Sequence, residues 1–234
     1  MLFVDSSNKD DVKRWIMDYQ ICEGVTSNPA ILLKDGNKDI EKVIEDLLSV
    51  SRNYPVNIEL TKTHASDDEL VNEAAEYVDN LQERVIIKVP FWTDGRGIRI
   101  IKRLQKIGIR TNATCLMNCE QVLLAALAGA DYASMFFRRI VDYNKTKDYS
   151  SNEAYEIAFH EIQCAADILD SHALDTQLIA GSIREPEDVS VCLLHGCGIV
   201  TVTPKILEHM MQHSSTDSTI LEFDKAWEQL KNVK

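Results

Sequence analysis

Lys88 lies inside the apolar run VIIKVP, and that setting gives it the most pointed chemistry in the chain. A lysine held among branched aliphatic residues must either pair with an acid or give up its proton, because desolvation penalises the ammonium. The neutral amine is a nucleophile that can form a Schiff base with a ketone. The paired ammonium would instead be a structural ion pair, with Asp5 or Glu59 as partner. Asp5 closes LFVD, Glu59 closes VNIE, and Thr26, Ser27 and Asn28 close GVTSN. Asn112 and Thr114 fall in TNAT, Ser134 in YASMF, and Ser182 and Arg184 just after QLIAG. Polar groups at the ends of so many short apolar runs are costly to bury unless they are used. Carboxylates beside an amine can supply general acid and base catalysis to a covalent intermediate.

The elements that must position these residues can be read from the same runs. Candidate strands are Leu2 to Asp5, Gly24 to Thr26, Val56 to Glu59, Val85 to Val89, Thr111 to Thr114, Tyr132 to Phe136, Gln177 to Ala180 and Ile199 to Val202. Between them lie segments of helical period, including DIEKVIEDLLSV, DDELVNEAAEYVDNL, NCEQVLLAALAG, NEAYEIAFHEIQCAADILD and EPEDVSVCLLHG. This alternation is the signature of a parallel α/β fold. Eight such units predict a closed barrel, whose catalytic groups gather at the carboxyl ends of the strands. A doubly wound open sheet is the competing arrangement, but no G-x-G-x-x-G follows the first strand. Ser215 to Lys234 reads as one further amphipathic helix, with Ile220, Phe223, Trp227 and Leu230 on one face. It either seals its own barrel or packs on a neighbouring subunit. With no linker or repeat in view, residues 1–234 are expected to form one α/β domain, a single (β/α)8 TIM barrel with an extra C-terminal helix.

Composition agrees with a large soluble core: hydrophobic residues are 45% and charged residues 26% of 234. The net charge of −12 opposes nonspecific contact with nucleic acid or an anionic membrane, so an anionic ligand needs a local cluster of cations. Acidic residues directly after the first four apolar positions do not suit a secretory signal, and no apolar run approaches the roughly 18 residues of a membrane span. The expectation is a cytoplasmic protein. The six cysteines lack CxxC spacing and suit reduced thiols. Cys115 with Cys119, or His195 with Cys197, would be the metal pairs to consider, but each reads more simply as a small buried hydrophobe.

The stretches FVDSSN, GVTSNPAIL, IELTKT, IIKVP, GIRTNATCLMNCEQVLLAALAGADYAS, LIAGSIREPEDV and VTVTPKILEHM resemble the successive strand ends of the small transaldolase and fructose 6-phosphate aldolase family. The match is collinear over essentially the whole chain. The resemblance implies that Lys88 attacks the C2 carbonyl of a ketose and that Asp5 handles the proton on the C4 hydroxyl. It puts Glu59 and Thr114 around a water that shuttles protons during imine formation and hydrolysis. Thr26, Ser27, Asn28, Asn112, Ser134 and Phe136 would surround the dihydroxyacetone unit, with Arg139, Ser182 and Arg184 on the anionic end. The chemistry needs no metal and no cofactor, because the protonated imine is itself the electron sink. The implied partners are small sugar phosphates or sulfosugars and further copies of the chain, as a pentamer or decamer.

Within that family, Glu59, Asn112 and Phe136 are similar to transaldolases, whereas the aldolase type has glutamine, leucine and tyrosine at those places. The chain departs from the common pattern at Arg138, in MFFRR, and at Trp92, after IKVP. Both are candidate modifiers of the anion pocket, and a shifted arginine set is what a sulfofructose transaldolase would require; Arg138 turned outward to solvent would be neutral. Release of free dihydroxyacetone, another Schiff-base barrel such as a deoxyribose phosphate aldolase, and a catalytically silent sugar-binding barrel are the remaining readings. The deoxyribose phosphate type uses a second active-site lysine, and no clear candidate for it stands at another strand end.

Overall fold

The computed structural model describes residues 1–37, 39–62, 64–78 and 84–232. Eight strands run parallel and close on themselves in sequence order: β1 Leu2–Asp5, β2 Val25–Thr26, β3 Val56–Glu59, β4 Val85–Pro90, β5 Thr111–Leu116, β6 Tyr132–Phe136, β7 Gln177–Gly181 and β8 Ile199–Val202. The ring closes where β1 pairs with β8 through Leu2, Phe3 and Val4 opposite Val200, Thr201 and Val202. The open sheet is thereby excluded, and the expected barrel is the observed fold.

Helices alternate with the strands: α1 Lys9–Lys13, continued by a π-helical turn over Arg14–Asp18, α2 Pro29–Lys34, α3 Ile40–Val50, α4 Asp67–Val78, α5 Arg96–Lys106 and α6 Cys119–Ala128. After β6 come α7 Phe137–Lys145 and α8 Ser151–Ser171, then α9 Pro186–Leu194, α10 Pro204–Met210 and α11 Ser214–Asn232. Asn118 starts α6 by accepting from the Gln121 N–H, and Gly129 ends it in the left-handed conformation at φ 91°. Asp39 caps α3 and Ser150 closes a capping box on α8 in the same way. The expected end of the helix from Asp67, at residues 79–81, lies outside the described residues.

Alternation along each strand separates two kinds of interior. Residues such as Val4, Val56, Ile58, Ile87, Val89, Ala133, Met135 and Val200 pack outward under the helices in one apolar shell. Phe3, Ile86, Tyr132, Ile179 and Ile199 form a separate buried cluster that fills the barrel's lower interior. Gly24 sits against that plug: a Cβ there would come within 2.6 Å of the Phe3 ring. Two residues further along, the inward positions of four of these strands turn polar, at Asp5, Lys88, Ser134 and Thr201, and that layer is the floor of the mouth.

The C-terminal helix departs from this pattern, since α11 buries none of its residues. Ile220, Phe223, Trp227 and Leu230 are 53%, 69%, 59% and 64% exposed. Of the two expected outcomes, closure on its own barrel is not the one observed. No helix among the described residues is long and apolar enough to cross a membrane.

Candidate active site

Inward positions at the carboxyl ends of the strands line a cavity of about 700 Å³. Asp5 and Thr26 enter from β1 and β2, Glu59 from β3, Lys88 from β4, Thr114 from β5, Ser134 and Phe136 from β6, and Ser182 just after β7. Glu59 and Lys88 are register partners on neighbouring strands, as are Lys88 and Asn112. Strand pairing therefore delivers acid, amine and amide side by side.

Lys88 is 4% exposed. Its Nζ lies 3.0 Å from Glu59 Oε2 and donates to the backbone carbonyl of Ser27 at 2.7 Å. An ammonium has three N–H groups, so one is left for the cavity. The ion pair is thus present, with Glu59 as partner, and it forms in the site rather than in the packed shell. Ser27 is buried and contributes that carbonyl, while its own hydroxyl has no hydrogen-bond partner and does not line the cavity. Thr114 Oγ1 is buried, unpartnered and on the cavity wall.

Asp5 accepts from Thr26 Oγ1 at 2.6 Å, and Thr201 Oγ1 stands 2.5 Å from the same hydroxyl. An ionised carboxylate can only accept, which orients the row from Thr201 through Thr26 to Asp5. Burial pushes the Asp5 carboxyl above its ordinary value, opposed by the Lys88 ammonium and the Thr26 hydroxyl, while the Glu59 and Asp35 carboxylates push it up further. A carboxyl that holds its proton more tightly than usual suits proton exchange with a sugar hydroxyl better than an exposed aspartate would.

A second polar row runs under the mouth. Ser134 Oγ donates to Asn112 Oδ1 at 2.8 Å, Asn112 Nδ2 to Asn57 Oδ1 at 3.0 Å, and Asn57 Nδ2 to the Val25 carbonyl at 3.0 Å. Asn112 supports the wall from behind and does not itself line the cavity. Asn57 was not among the expected site residues, although its spacing of two from Glu59 puts both on one strand face. Asn28 lines the cavity and uses Oδ1 to cap α2 through the Ile31 N–H at 3.0 Å, which leaves its amide N–H2 for a ligand. Cys115, which from the sequence reads as a small buried hydrophobe and not as a site residue, also reaches the site. A register shift in β5 carries it into the left-handed region at φ 66° and onto the cavity wall.

The expected anion cluster is only partly assembled. Arg139 and Ser182 line the cavity, with Ser182 at φ 59°, and Arg139 lies over the Phe136 ring at 5.7 Å. Arg184 does not: it forks onto Asp142 at 3.2 and 2.5 Å on the outer surface. Arg138 points neither into the pocket nor freely to solvent. Its Nε donates to Asp188 Oδ2 at 2.6 Å, and its guanidinium lies over Tyr155 at 4.9 Å. The same Asp188 oxygen accepts from the backbone N–H of Arg184 and of Glu185, each at 3.0 Å. Trp92 likewise stays off the cavity wall and packs against Arg96, 5.1 Å from the ring centroid. As direct pocket residues, Arg184, Arg138 and Trp92 are corrected; each is drawn off by a nearer partner.

Neither metal pair from the sequence assembles at the mouth. His195 stacks on Phe159, and the Cys197 thiol donates to backbone carbonyls, so both are structural. Cys119, Glu120 and Glu161 do bring ligand atoms within 4.8 Å of one another, away from the cavity, but Glu161 already accepts from the Cys119 N–H. All six cysteines are free thiols.

Known proteins give the same picture. Residues 2–234 match the family model described as Transaldolase/Fructose-6-phosphate aldolase. A probable transaldolase of Brachyspira hyodysenteriae is 33% identical over 226 residues, covering 97% of this chain and 96% of that one. A probable transaldolase of Symbiobacterium thermophilum is 34% identical over 230 residues, covering 98% of each. Among solved structures, a type I 3-dehydroquinate dehydratase from Clostridium difficile superposes with a TM-score of 0.54 at 11% identity, covering 86% of this chain and 83% of that one, a likeness of barrel fold alone. With a barrel that gathers lysine, aspartate and glutamate at one mouth, and a family match from the second residue to the last, this chain belongs to the transaldolase/fructose-6-phosphate aldolase family.

Proposed function

We propose that this chain is a transaldolase that carries a dihydroxyacetone unit on Lys88 from a ketose with a 6-position anion to an aldose acceptor. The observation that carries the reading is the buried Lys88 amine in the cavity wall, with Glu59 at 3.0 Å as the group able to take its proton.

In this reading Glu59 accepts a proton from Nζ, and the neutral amine adds to the C2 carbonyl, losing water to give the protonated imine. Asp5 removes the C4 hydroxyl proton. The C3–C4 bond breaks, its electron pair passes into the imine to form an enamine, and the aldehyde fragment leaves. The enamine carbon then adds to the acceptor aldehyde, Asp5 returns its proton to the new alkoxide, and water hydrolyses the imine. Thr114, whose buried hydroxyl lacks a partner, and Glu59 would hold the water used in the first and last steps. Asn28 and Ser134 would hold the hydroxyls of the retained unit. Metal and cofactor have no role in these steps.

Transfer is favoured over release by Glu59, a carboxylate where the aldolase type has an amide, and by Phe136, which has no hydroxyl to protonate the enamine. The donor would be fructose 6-phosphate or 6-deoxy-6-sulfofructose, bound at its anionic end by Arg139 and Ser182. A homo-oligomer, pentamer or decamer, is the proposed assembly. The test is product analysis with fructose 6-phosphate, with and without an aldose acceptor. Acceptor-dependent formation of a new ketose supports transfer. Acceptor-independent dihydroxyacetone would make the chain an aldolase, and no turnover would leave a silent barrel.

A further inference from the structure

The cavity carries more positive charge than the covalent chemistry uses. Lys88 is balanced by Glu59. Two further cations, Lys34 and Arg139, line the same space, and among the described residues neither is held in an ion pair. The other arginines of this region are committed: Arg138 to Asp188, Arg184 to Asp142, and Arg96 to Asp67. In a chain of net charge −12, a cavity lined by three cations, Lys34, Lys88 and Arg139, against two carboxyl groups, Asp5 and Glu59, is a local exception. Concave apolar walls focus such a field on whatever enters.

The fold holds Lys34 there. It is the last residue of α2, whose start is fixed by the Asn28 cap. The turn that follows is tied to the loop after β1, since Asp35 Oδ2 accepts from the Ser7 hydroxyl at 2.7 Å and Asn37 Nδ2 donates to the Ser7 carbonyl at 3.1 Å. Arg139 belongs to α7, which follows β6. In a closed ring of eight, β2 and β6 stand opposite one another, so the two cations reach the mouth from opposite sides.

We propose that Lys34 is a specificity-determining residue whose ammonium, across the mouth from Arg139, draws in the terminal oxyanion of the sugar and selects anionic ketoses over neutral ones. This rests on the reading of the cavity as a ketose site, and it gives the positive charge that Arg184 does not supply to a residue of α2.

The test compares kcat/KM for fructose 6-phosphate, 6-deoxy-6-sulfofructose and fructose in the parent, Lys34→Gln and Lys34→Arg. Losing one charge-assisted contact should lower the ratio of phosphate donor to neutral donor about tenfold in Lys34→Gln, with recovery in Lys34→Arg. The sulfonate, with one negative charge against nearly two, should lose less. Calorimetric titration with inorganic phosphate reads the same contact without turnover and should show affinity weakened about tenfold in Lys34→Gln. An unchanged ratio, or an equal fall for all three ketoses, overturns the proposal. If the parent turns over no ketose, the ketose reading falls, and the phosphate titration still decides the role of Lys34.

Discussion

Glu59 and Lys88 face one another as register partners on β3 and β4, carboxylate 3.0 Å from amine, at the floor of the cavity. Neither adjacency in sequence nor a loop is needed to bring them together; parallel pairing of two four- to six-residue strands does so. Replacing Glu59 with Gln keeps the shape but removes the carboxylate proposed to exchange a proton with Nζ. The expected outcome is a shift from transfer toward release of dihydroxyacetone, measured as the product ratio with acceptor present. An unchanged ratio would remove the main reason for favouring transfer.

Asp5 gives a prediction in which activity and stability move in opposite directions. Burial raises its carboxyl in the folded state above the ordinary 3.8, so between those two values the folded protein holds a proton that the unfolded chain has released, and above the raised value the carboxylate is ionised at a cost in stability. The stability this group contributes is therefore complete below its unfolded value and lost as pH rises through the raised folded value. Asp5→Asn should lose turnover and, at neutral pH, melt higher than the parent. Its advantage in Tm should grow as pH rises from 3.8 through the raised folded value and then level off, at about 2–4 °C per kcal/mol for a chain of this size. A variant that melts lower than the parent at pH 7 would contradict this account of Asp5.

Arg138 is joined to the turn after β7 through Asp188, which also accepts from the backbone N–H of Arg184 and Glu185. Removing the cation leaves a carboxylate that is 3% exposed with only two backbone N–H donors, and breaking such a buried pair costs about 3 kcal/mol or more. Arg138→Gly should lower Tm and change the ratio of kcat/KM for 6-deoxy-6-sulfofructose to that for fructose 6-phosphate, as the Ser182 to Glu185 segment loosens. A lowered Tm with an unchanged ratio would separate Arg138 from donor choice.

The bare apolar face of α11 predicts assembly. Large side chains more than half exposed in a row are seldom left to water, so light scattering should report a homo-oligomer. Trp227→Glu, on that face, should dissociate it without unfolding the barrel. A monomeric parent would contradict the prediction.

Much of this site was legible because a strand end is a local signal. Runs such as VNIE and VIIKVP switch from aliphatic to polar where the chain reaches the mouth, and four of the eight strands have the expected bounds. What was not legible depended on distant or conformational facts. Arg184 and Arg138 chose carboxylates 42 and 50 residues away, and nothing near them in sequence announces Asp142 or Asp188. Cys115 reaches the wall only because β5 slips register there. Lys34, in the segment LLKDG, reads as a solvated helix end until the turn after it is seen tied to Ser7. Asn57 could have been found from the period of two that it shares with Glu59.

Reductive trapping tests most directly whether Lys88 becomes covalently joined to the ketose. The protein is incubated with fructose 6-phosphate and borohydride, then its intact mass is measured and the modified peptide is mapped. One three-carbon adduct is expected, on Lys88, absent without borohydride and absent in Lys88→Met. No adduct, or an adduct on another lysine, would contradict the covalent role of Lys88.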